Sequence, residues 1–352
     1  METNATNLTL DSETLEMLAS NVIKVTLPTI YVAVILISLP GNGISLWLLC
    51  FHTRPKTPLV VFMINLTIAD ILLSFFLPFQ IAYHLNDNNW AFGKSLCTFL
   101  TTLFYANMYC SILTMTCISV ERYVGVAYPI WYKQGWNRWH AVTVCCGIWT
   151  VLIIVLLPLE YSDLTFEVKQ LNITTCFDVL KRNMLPNTET WGLFLFTLFV
   201  LLFLIPFTIT VICYTLVILK LSQTSHKERC EKKRRAVYLA ATVLLVFVTC
   251  FAPNNITLLI HIILRLQFNS GCYTAYKLTL SLSCLNSCLN PFVFFFASTE
   301  FQKHFHRLIG RRRSYSQRTT GEYSTTKSVP FQRFLLLLII NEAEPLSAIR
   351  HH

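Results

Sequence analysis

Seven long apolar stretches constrain this chain more than any other feature of its sequence. A helix needs about 20 predominantly apolar residues to cross the roughly 30 Å hydrocarbon core of a bilayer, and each stretch is at least that long. They run over Val25–Phe51, Pro58–His84, Ser95–Tyr128, Trp139–Glu160, Glu189–Leu221, Ala236–Leu266 and Tyr273–Ala297. The fold class they predict is an all-α membrane protein, a seven-transmembrane helix bundle over residues 25–297.

Composition excludes a soluble protein. The chain is 54% hydrophobic and 13% charged, whereas a soluble domain carries about 25% charged residues. Too few charges remain to cover a water-facing surface, and the hydrophobic content is too high for disorder.

A transporter or channel needs a polar path, and an intramembrane enzyme needs paired catalytic groups. One buried acid, Asp70, supports neither, so we expect a protein that is not an enzyme.

The distribution of basic residues predicts the orientation in the membrane. The net charge is +10, and the excess of Lys and Arg lies in the segments that follow the first, third, fifth and seventh stretches. By the positive-inside rule, residues 1–24 are extracellular and residues 311–352 form a cytoplasmic tail of a multi-pass plasma-membrane protein. The basic surplus faces anionic membrane lipids rather than nucleic acid. No basic segment precedes the first stretch, so we expect it to be an anchor and not a cleaved signal peptide.

The predicted outer side carries glycosylation motifs and cysteines. Three N-x-[ST] motifs are expected to be glycosylated, at Asn4, Asn7 and Asn172. Cys97 and Cys176 both lie on the outer side, in the oxidising compartment, and form the expected disulfide. Cys272 also faces outward, and no partner is evident for it.

An acid at membrane depth is costly and needs an explanation. Asp70 has polar residues on other stretches within reach of it across a bundle. These are Asn42, Asn107, Ser111, Asn286 and Asn290. Two interpretations stay open, namely hydrogen bonds that hold helices together and an allosteric sodium ion held by the carboxylate and its neighbours.

Motifs on successive stretches, taken together, resemble one family. They are Gly41-Asn42, Asn65-Leu66-x-x-Ala69-Asp70, Trp90-x-Phe92-Gly93 with Cys97, Glu121-Arg122-Tyr123, Trp149, Pro206 with Tyr214, Cys250-Phe251-Ala252-Pro253 and Asn290-Pro291. The set resembles the rhodopsin-like (class A) G-protein-coupled receptors over about residues 25–310. Phrases such as FMINLTIAD, FYANMYCSILTMTCISVERY and FVTCFAPNN resemble the nucleotide-purinoceptor branch.

The resemblance implies a receptor whose extracellular ligand shifts a conformational equilibrium toward a state that binds a heterotrimeric G protein. The residues implied in this coupling switch are Glu121, Arg122, Tyr123, Tyr214, Asn290, Pro291 and Phe294. Those implied in the sodium cluster are Asp70, Ser111, Asn286 and Asn290. Phe294 departs from the family pattern, because the Tyr that usually ends the last motif is replaced by a residue without a hydroxyl.

The outer third of the bundle combines basic groups with aromatic rings. The predicted pocket residues are Tyr31, Tyr83, Tyr105, Tyr109, Phe251, Asn255, Arg265, Tyr276 and Lys277. Basic groups in a ring-lined mouth suit an anionic small molecule with an apolar part. The alternative is that the cations are solvated and the tyrosines form an interfacial belt.

Nucleotide-binding members of the family place a His and, three residues later, a basic residue on the sixth span. Asn255 and Leu258 stand there in this chain, so phosphate groups would leave water without compensation. A partly lipidic anion is therefore the predicted ligand, with a purinergic nucleotide as the alternative.

The cytoplasmic side carries the basic run HKERCEKKRR at 226–235, which suits both anchoring and G-protein contact. Apolar residues at helical spacing predict a short amphipathic cytoplasmic helix after the seventh span, over 298–310, on the membrane lipids. The hydroxyl-rich stretch Ser314–Ser328 suits phosphorylation by a receptor kinase and arrestin binding. Within the purinoceptor branch, the closest resemblance implies the Gα 12/13 class, Rho signalling and restraint of cell migration. The apolar run Phe334–Ile340 has no assigned role.

Overall fold

The computed structural model describes residues 12–135, 137–160, 163–177, 188–222, 227–268 and 272–308. The helices in these ranges are α1 (Ser12–Ala19), α2 (Asn21–Trp47), α3 (Pro58–Leu85), α4 (Lys94–Ala127), α5 (Pro129–Gly135), α6 (Arg138–Glu160), α7 (Thr188–Leu198), α8 (Ile205–Ser222), α9 (Lys227–Val246), α10 (Ala252–Phe268), α11 (Tyr273–Ser283), α12 (Asn286–Ala297) and α13 (Thr299–Leu308). Two strands, β1 (Thr165–Val168) and β2 (Ile173–Cys176), pair as an antiparallel hairpin.

Seven helical segments in the described ranges are long and apolar enough to cross a membrane, which confirms the predicted fold class. They are Asn21–His52, Pro58–Leu85, Lys94–Ala127, Arg138–Glu160, Gly192–Ser222, Ala236–His261 and Tyr273–Ala297. The third and seventh spans lie deepest in the bundle, with 72% of their most apolar window buried, whereas the fourth is peripheral with 22% buried. The third span therefore contributes most of the groups that meet at the bundle centre.

Prolines shape three of the spans, because proline lacks the N–H that an α-helix needs and its ring crowds the preceding turn. The wide π-helical segments Phe199–Leu204 and Phe247–Phe251 directly precede the turns that hold Pro206 and Pro253. The seventh span is interrupted between Ser283 and Asn286, one turn before Pro291. These three prolines thus coincide with irregular backbone, whereas Pro78 and Pro158 lie within continuous helices.

The hairpin is fastened to the outer end of the third span. Cys97 and Cys176 form the predicted disulfide, and Trp90 N donates to Thr174 O at 2.7 Å. Asn172 lies exposed in the hairpin turn with φ 51°, so the turn presents the predicted glycosylation site outward. Asn4 and Asn7 lie outside the described residues. The short helix α1 packs here too, through the buried Met17 and Leu18.

Two short helices border the end of the bundle that is predicted to face the cytoplasm. α5 follows the third span, and α13 falls within the segment 298–310 where an amphipathic helix is predicted. Phe301 of α13 is buried against the bundle, whereas Lys303 is exposed. The tail 311–352, including the apolar run at 334–340, lies outside the described residues.

Candidate ligand cavity and signalling core

A cavity opens among the first, second, third and seventh spans and the hairpin. Its walls are Tyr31, Leu73, Phe76, Leu77, Gln80, Leu100, Thr101, Phe104, Tyr105, Cys176, Phe177, Lys277 and Leu280. Lys277 is the one charged residue among these and is only 7% exposed. The cavity thus combines a buried lysine with mostly apolar and aromatic walls, as the predicted anionic and partly apolar ligand requires.

A second and smaller cavity, the apolar chamber, lies among the third to seventh spans. It is lined by Tyr105, Tyr109, Leu159, Phe177, Phe194, Leu195, Leu198, Leu258 and Tyr276. The Tyr105 and Tyr276 hydroxyls contact one another directly. The rings of Tyr105 and Phe177 pack edge to face, with their centroids 5.7 Å apart.

Five of the nine predicted pocket residues line these two cavities, namely Tyr31, Tyr105, Tyr109, Tyr276 and Lys277. Three others are buried elsewhere. Tyr83 packs on Trp90 with ring centroids 5.8 Å apart, Phe251 packs on Phe247, and Asn255 Nδ2 donates to Phe251 O at 2.9 Å. Arg265 belongs to α10, but its side chain is outside the described set.

Sequence reasoning missed several wall residues, above all Phe177 and Gln80. Phe177 directly follows the disulfide cysteine and has a positive φ of 60°. The disulfide fixes the hairpin to the bundle and so restricts the position of the residue next to it. The position of Phe177 beside Cys176 could therefore have identified it as a wall residue. Gln80 lies three residues after Leu77 and seven after Leu73, which is the spacing of one helix face.

Asp70 bonds to the seventh span. Asp70 is wholly buried. Its carboxylate accepts hydrogen bonds from Ser287 Oγ at 3.0 Å and from Asn290 Nδ2 at 2.6 Å. Asn290 Nδ2 also donates to Asn286 Oδ1 at 3.1 Å. Sequence reasoning included Asn286 and Asn290 but missed Ser287. Its signal was its position three residues before Asn290, on the same helix face.

The group around Asp70 also contains buried oxygen atoms that lack hydrogen-bond partners among the described residues. Ser111 Oγ and Asn290 Oδ1 are two of them. Carboxylate, hydroxyl and amide oxygens are the donors that hard cations prefer. The donor set therefore fits a small cation such as sodium, with Asp70 supplying the negative charge.

The cytoplasmic end of the third span is held by polar contacts. Arg122 Nε lies 3.8 Å from Glu121 Oε2, and Arg122 Nη2 donates to Ala297 O at 2.5 Å, at the end of the seventh span. Glu121 also accepts a hydrogen bond from the hydroxyl of Tyr132 on α5, a partner that sequence reasoning did not identify. Arg122 therefore connects the third span to the seventh in this conformation.

The other predicted switch residues surround this contact. Tyr214 and Phe294 are buried, and Phe294 meets Phe301 of α13 with ring centroids 6.3 Å apart. Tyr123 is half-buried and lies edge-on to Tyr128. Pro291, one residue after Asn290, is half-buried, and its Cγ lies 3.4 Å from the position a Cβ would take on Gly41 of the first span. An alanine at 41 would therefore meet Pro291 of the seventh span at an ordinary van der Waals distance.

Comparison with known proteins agrees with this architecture. The family model of the 7 transmembrane receptor (rhodopsin family) matches residues 41–294. A purinoceptor of subtype eight from Gallus gallus is 56% identical over 300 residues, which is 85% of this chain and 84% of that protein. The S-geranylgeranyl-glutathione receptor of Homo sapiens is 55% identical over 86% of this chain and 84% of its own length. Proteinase-activated receptor 2 of Mus musculus is 40% identical over 84% of this chain and 74% of its own length.

Proposed function

Since the chain belongs to the rhodopsin family of seven-transmembrane receptors, we propose that it is a plasma-membrane receptor for an extracellular amphiphilic anion. In this proposal the N-terminus is extracellular and the tail is cytoplasmic. The observation that carries it is Lys277, a buried cation in the wall of an otherwise largely apolar and aromatic cavity.

Lys277 supplies attraction for the anionic part of such a ligand. Coulomb attraction is several-fold stronger in a partly desolvated cavity than in bulk water, because the effective dielectric constant is lower. Tyr31, Gln80 and Thr101 in the same walls provide hydroxyl and amide groups that can orient a carboxylate. The remaining walls are apolar, so the same ligand gains from a hydrocarbon part.

The name of the human relative supports this ligand class. That protein is called a receptor for S-geranylgeranyl-glutathione, which joins an anionic peptide to a hydrocarbon chain. We infer that the present chain binds a ligand of the same chemical class.

A nucleotide is the second candidate, because Lys277 could also meet a phosphate and the Gallus gallus relative carries the name of a purinoceptor. The sixth span argues against it. Leu258 lines the apolar chamber together with Leu195 and Leu198, and Asn255 is buried with its Nδ2 bonded to Phe251 O. Phosphate groups placed at these positions would lose water without gaining a cationic partner.

Signal transfer follows from the contacts at the cytoplasmic end. The ligand favours a bundle conformation in which Arg122 leaves Glu121 and Ala297 O, and the opened face binds the G protein. A sodium ion beside Asp70 would favour the resting conformation, since it adds contacts to the closed arrangement of the second, third and seventh spans. We propose coupling to the Gα 12/13 class with Rho activation and restraint of cell migration, and regulation by a receptor kinase and arrestin at the tail.

The test is guanine-nucleotide exchange by purified G proteins of each Gα class with the purified receptor. S-geranylgeranyl-glutathione should stimulate exchange, most strongly on the 12/13 class, while ADP and ATP should not. Lys277→Gln should raise the half-maximal concentration at least about tenfold, as expected for a charge-assisted contact. Lys94→Gln is the matched control, because Lys94 is an exposed outer cation. A response to low nucleotide concentrations would overturn the ligand assignment, and no exchange on any Gα class would overturn the proposed coupling.

A further inference from the structure

Two buried hydroxyls connect the third span to the fifth span at its proline. The Oγ1 atoms of Thr116 and Thr210 lie 3.1 Å apart, and Thr116 Oγ1 lies 3.3 Å from the carbonyl oxygen of Pro206. Thr210 is fully buried and Thr116 is 7% exposed, so water has little access to either hydroxyl. The contact is therefore a direct polar link between two spans in the interior of the bundle.

The Thr116 hydroxyl has one hydrogen and two carbonyl acceptors within reach, on different helices. Thr116 Oγ1 lies 2.9 Å from Ile112 O, one turn earlier on its own helix, as well as near Pro206 O on the fifth span. Because a carbonyl oxygen only accepts, the hydrogen goes to one of the two or is shared between them. The Thr210 hydroxyl can donate to Thr116 Oγ1 in either case. Thr116 thus has two bonding arrangements, one within the third span and one directed at the fifth.

Other threonines show what a hydroxyl inside a span requires. Thr67 and Thr150 each donate to the carbonyl four residues earlier on their own helix, which is the ordinary arrangement. Such a bond satisfies the hydroxyl hydrogen by itself, and Thr116 has it as well. The contacts of Thr116 with Pro206 and Thr210 therefore add a connection between spans and do more than compensate for burial.

The bridge acts on a part of the fifth span that also touches the sixth. Pro206 follows the wide π-helical segment Phe199–Leu204 and has no N–H to donate, so the backbone here has fewer bonds within its own helix. The ring of the next residue, Phe207, packs on Phe247 of the sixth span with centroids 5.6 Å apart. A contact that holds Pro206 against the third span therefore also restrains the packing of the fifth span on the sixth.

We propose that Thr116 is a positioning residue of signal transfer, whose hydroxyl, together with that of Thr210, holds Pro206 against the third span in the resting conformation. Activation then requires this bridge to break. The inference rests on the proposed function, in which the conformation with Arg122 bonded to Ala297 O is the resting one. Loss of the bridge should shift the equilibrium toward the active conformation in the absence of ligand. Side-chain hydrogen bonds between spans typically shift an equilibrium about threefold, and in strong cases more than tenfold.

The experiment measures basal guanine-nucleotide exchange and the thermal unfolding temperature of the purified full-length receptor. Exchange is measured on the Gα class that the wild type activates most, at equal amounts of folded receptor. Thr116→Val removes the hydroxyl at similar side-chain volume, whereas Thr116→Ser retains it. Thr208→Val is the matched control, because Thr208 lies on the fifth span but is exposed and donates to Leu204 O of its own helix. Basal exchange needs no ligand, so the result is independent of the ligand assignment.

Thr116→Val should raise basal exchange about three- to tenfold, while Thr116→Ser and Thr208→Val should stay within about twofold of the wild type. Thr210→Val should raise it by a smaller factor, because Thr116 can still donate to Pro206 O. The double variant, Thr116→Val with Thr210→Val, should not exceed Thr116→Val alone, since both changes break the same bridge.

Basal exchange of Thr116→Val at or below the wild-type value would overturn the inference, even with a lowered unfolding temperature, because that result indicates a purely structural role. An equal rise in Thr116→Ser or Thr208→Val would overturn it as well. If Thr116→Val does not fold, Thr210→Val provides the test, and unchanged basal exchange in that variant would again refute the bridge. If the wild type itself produces no exchange on any Gα class, the proposed function fails instead.

Discussion

Removal of the Tyr132 hydroxyl should increase the activity of the receptor in the absence of ligand. Tyr132 lies on the cytoplasmic helix α5, and its hydroxyl donates to Glu121, which is 6% exposed. Burial, followed by the neighbouring Glu121 carboxylate, raises the pKa of the Tyr132 hydroxyl well above its ordinary value. The hydroxyl therefore remains protonated, and a donor, at any physiological pH.

The expected magnitude follows from this one contact. A hydrogen bond to a charged group contributes about 1.5–3 kcal/mol, and an acceptor left buried without a donor costs a similar amount. Because Tyr132 is half-buried, water can replace part of the contact, and the lower end of that range applies. If Glu121 gives up this contact on activation, Tyr132→Phe destabilises the resting state by about 1.5 kcal/mol, which raises the active fraction of a mostly resting receptor about tenfold.

The assay is basal guanine-nucleotide exchange by purified Gα of the 12/13 class, at matched receptor concentration. Trp131→Phe is the control, since Trp131 is the neighbour of Tyr132 on α5 and is 58% exposed. Trp131→Phe should leave basal exchange near the wild-type value. Basal exchange of Tyr132→Phe at or below that of the wild type would refute a role for this hydrogen bond in holding the resting state.

Three further predictions concern other parts of the molecule. Asp70→Asn should abolish the effect of sodium chloride on agonist affinity, because the substitution removes the negative charge of the cluster. Potassium chloride is the control salt. A sodium effect equal to that of the wild type would contradict a sodium site at Asp70. Asn88→Ala removes the 2.9 Å hydrogen bond from Asn88 Nδ2 to Leu18 O and should weaken the docking of α1 by about 1 kcal/mol. Amide hydrogen exchange over residues 12–19 should therefore become several-fold faster. Unchanged exchange rates would show that other contacts hold α1 in place. Asn172→Gln should lower the apparent mass of the expressed receptor by one glycan, and an unchanged mass would mean that the hairpin turn is unmodified.

Local sequence was sufficient to identify the spans because the bilayer imposes its requirement on each span separately. Every span must be long and apolar enough by itself and must satisfy its backbone internally, so hydropathy along the chain identified all seven. The predicted fold class and the resemblance to rhodopsin-like receptors and their purinoceptor branch are confirmed. The relatives are receptors rather than enzymes, as expected. The Cys97–Cys176 pairing is likewise confirmed, because few cysteines lie on the outer side.

Side-chain partners between spans required the folded structure, because a helical period shows which face a residue lies on but not which neighbour it meets. Asp70 contacts Ser287 and Asn290 through the rotation of two helices and the break in the seventh span, and no local pattern encodes that alignment. The bond from Tyr132 to Glu121 depends on where α5 folds back. The hydroxyls of Tyr105 and Tyr276 meet between the two cavities although the residues are 171 positions apart in the chain. Such convergence depends on packing, which is a property of all seven helices together.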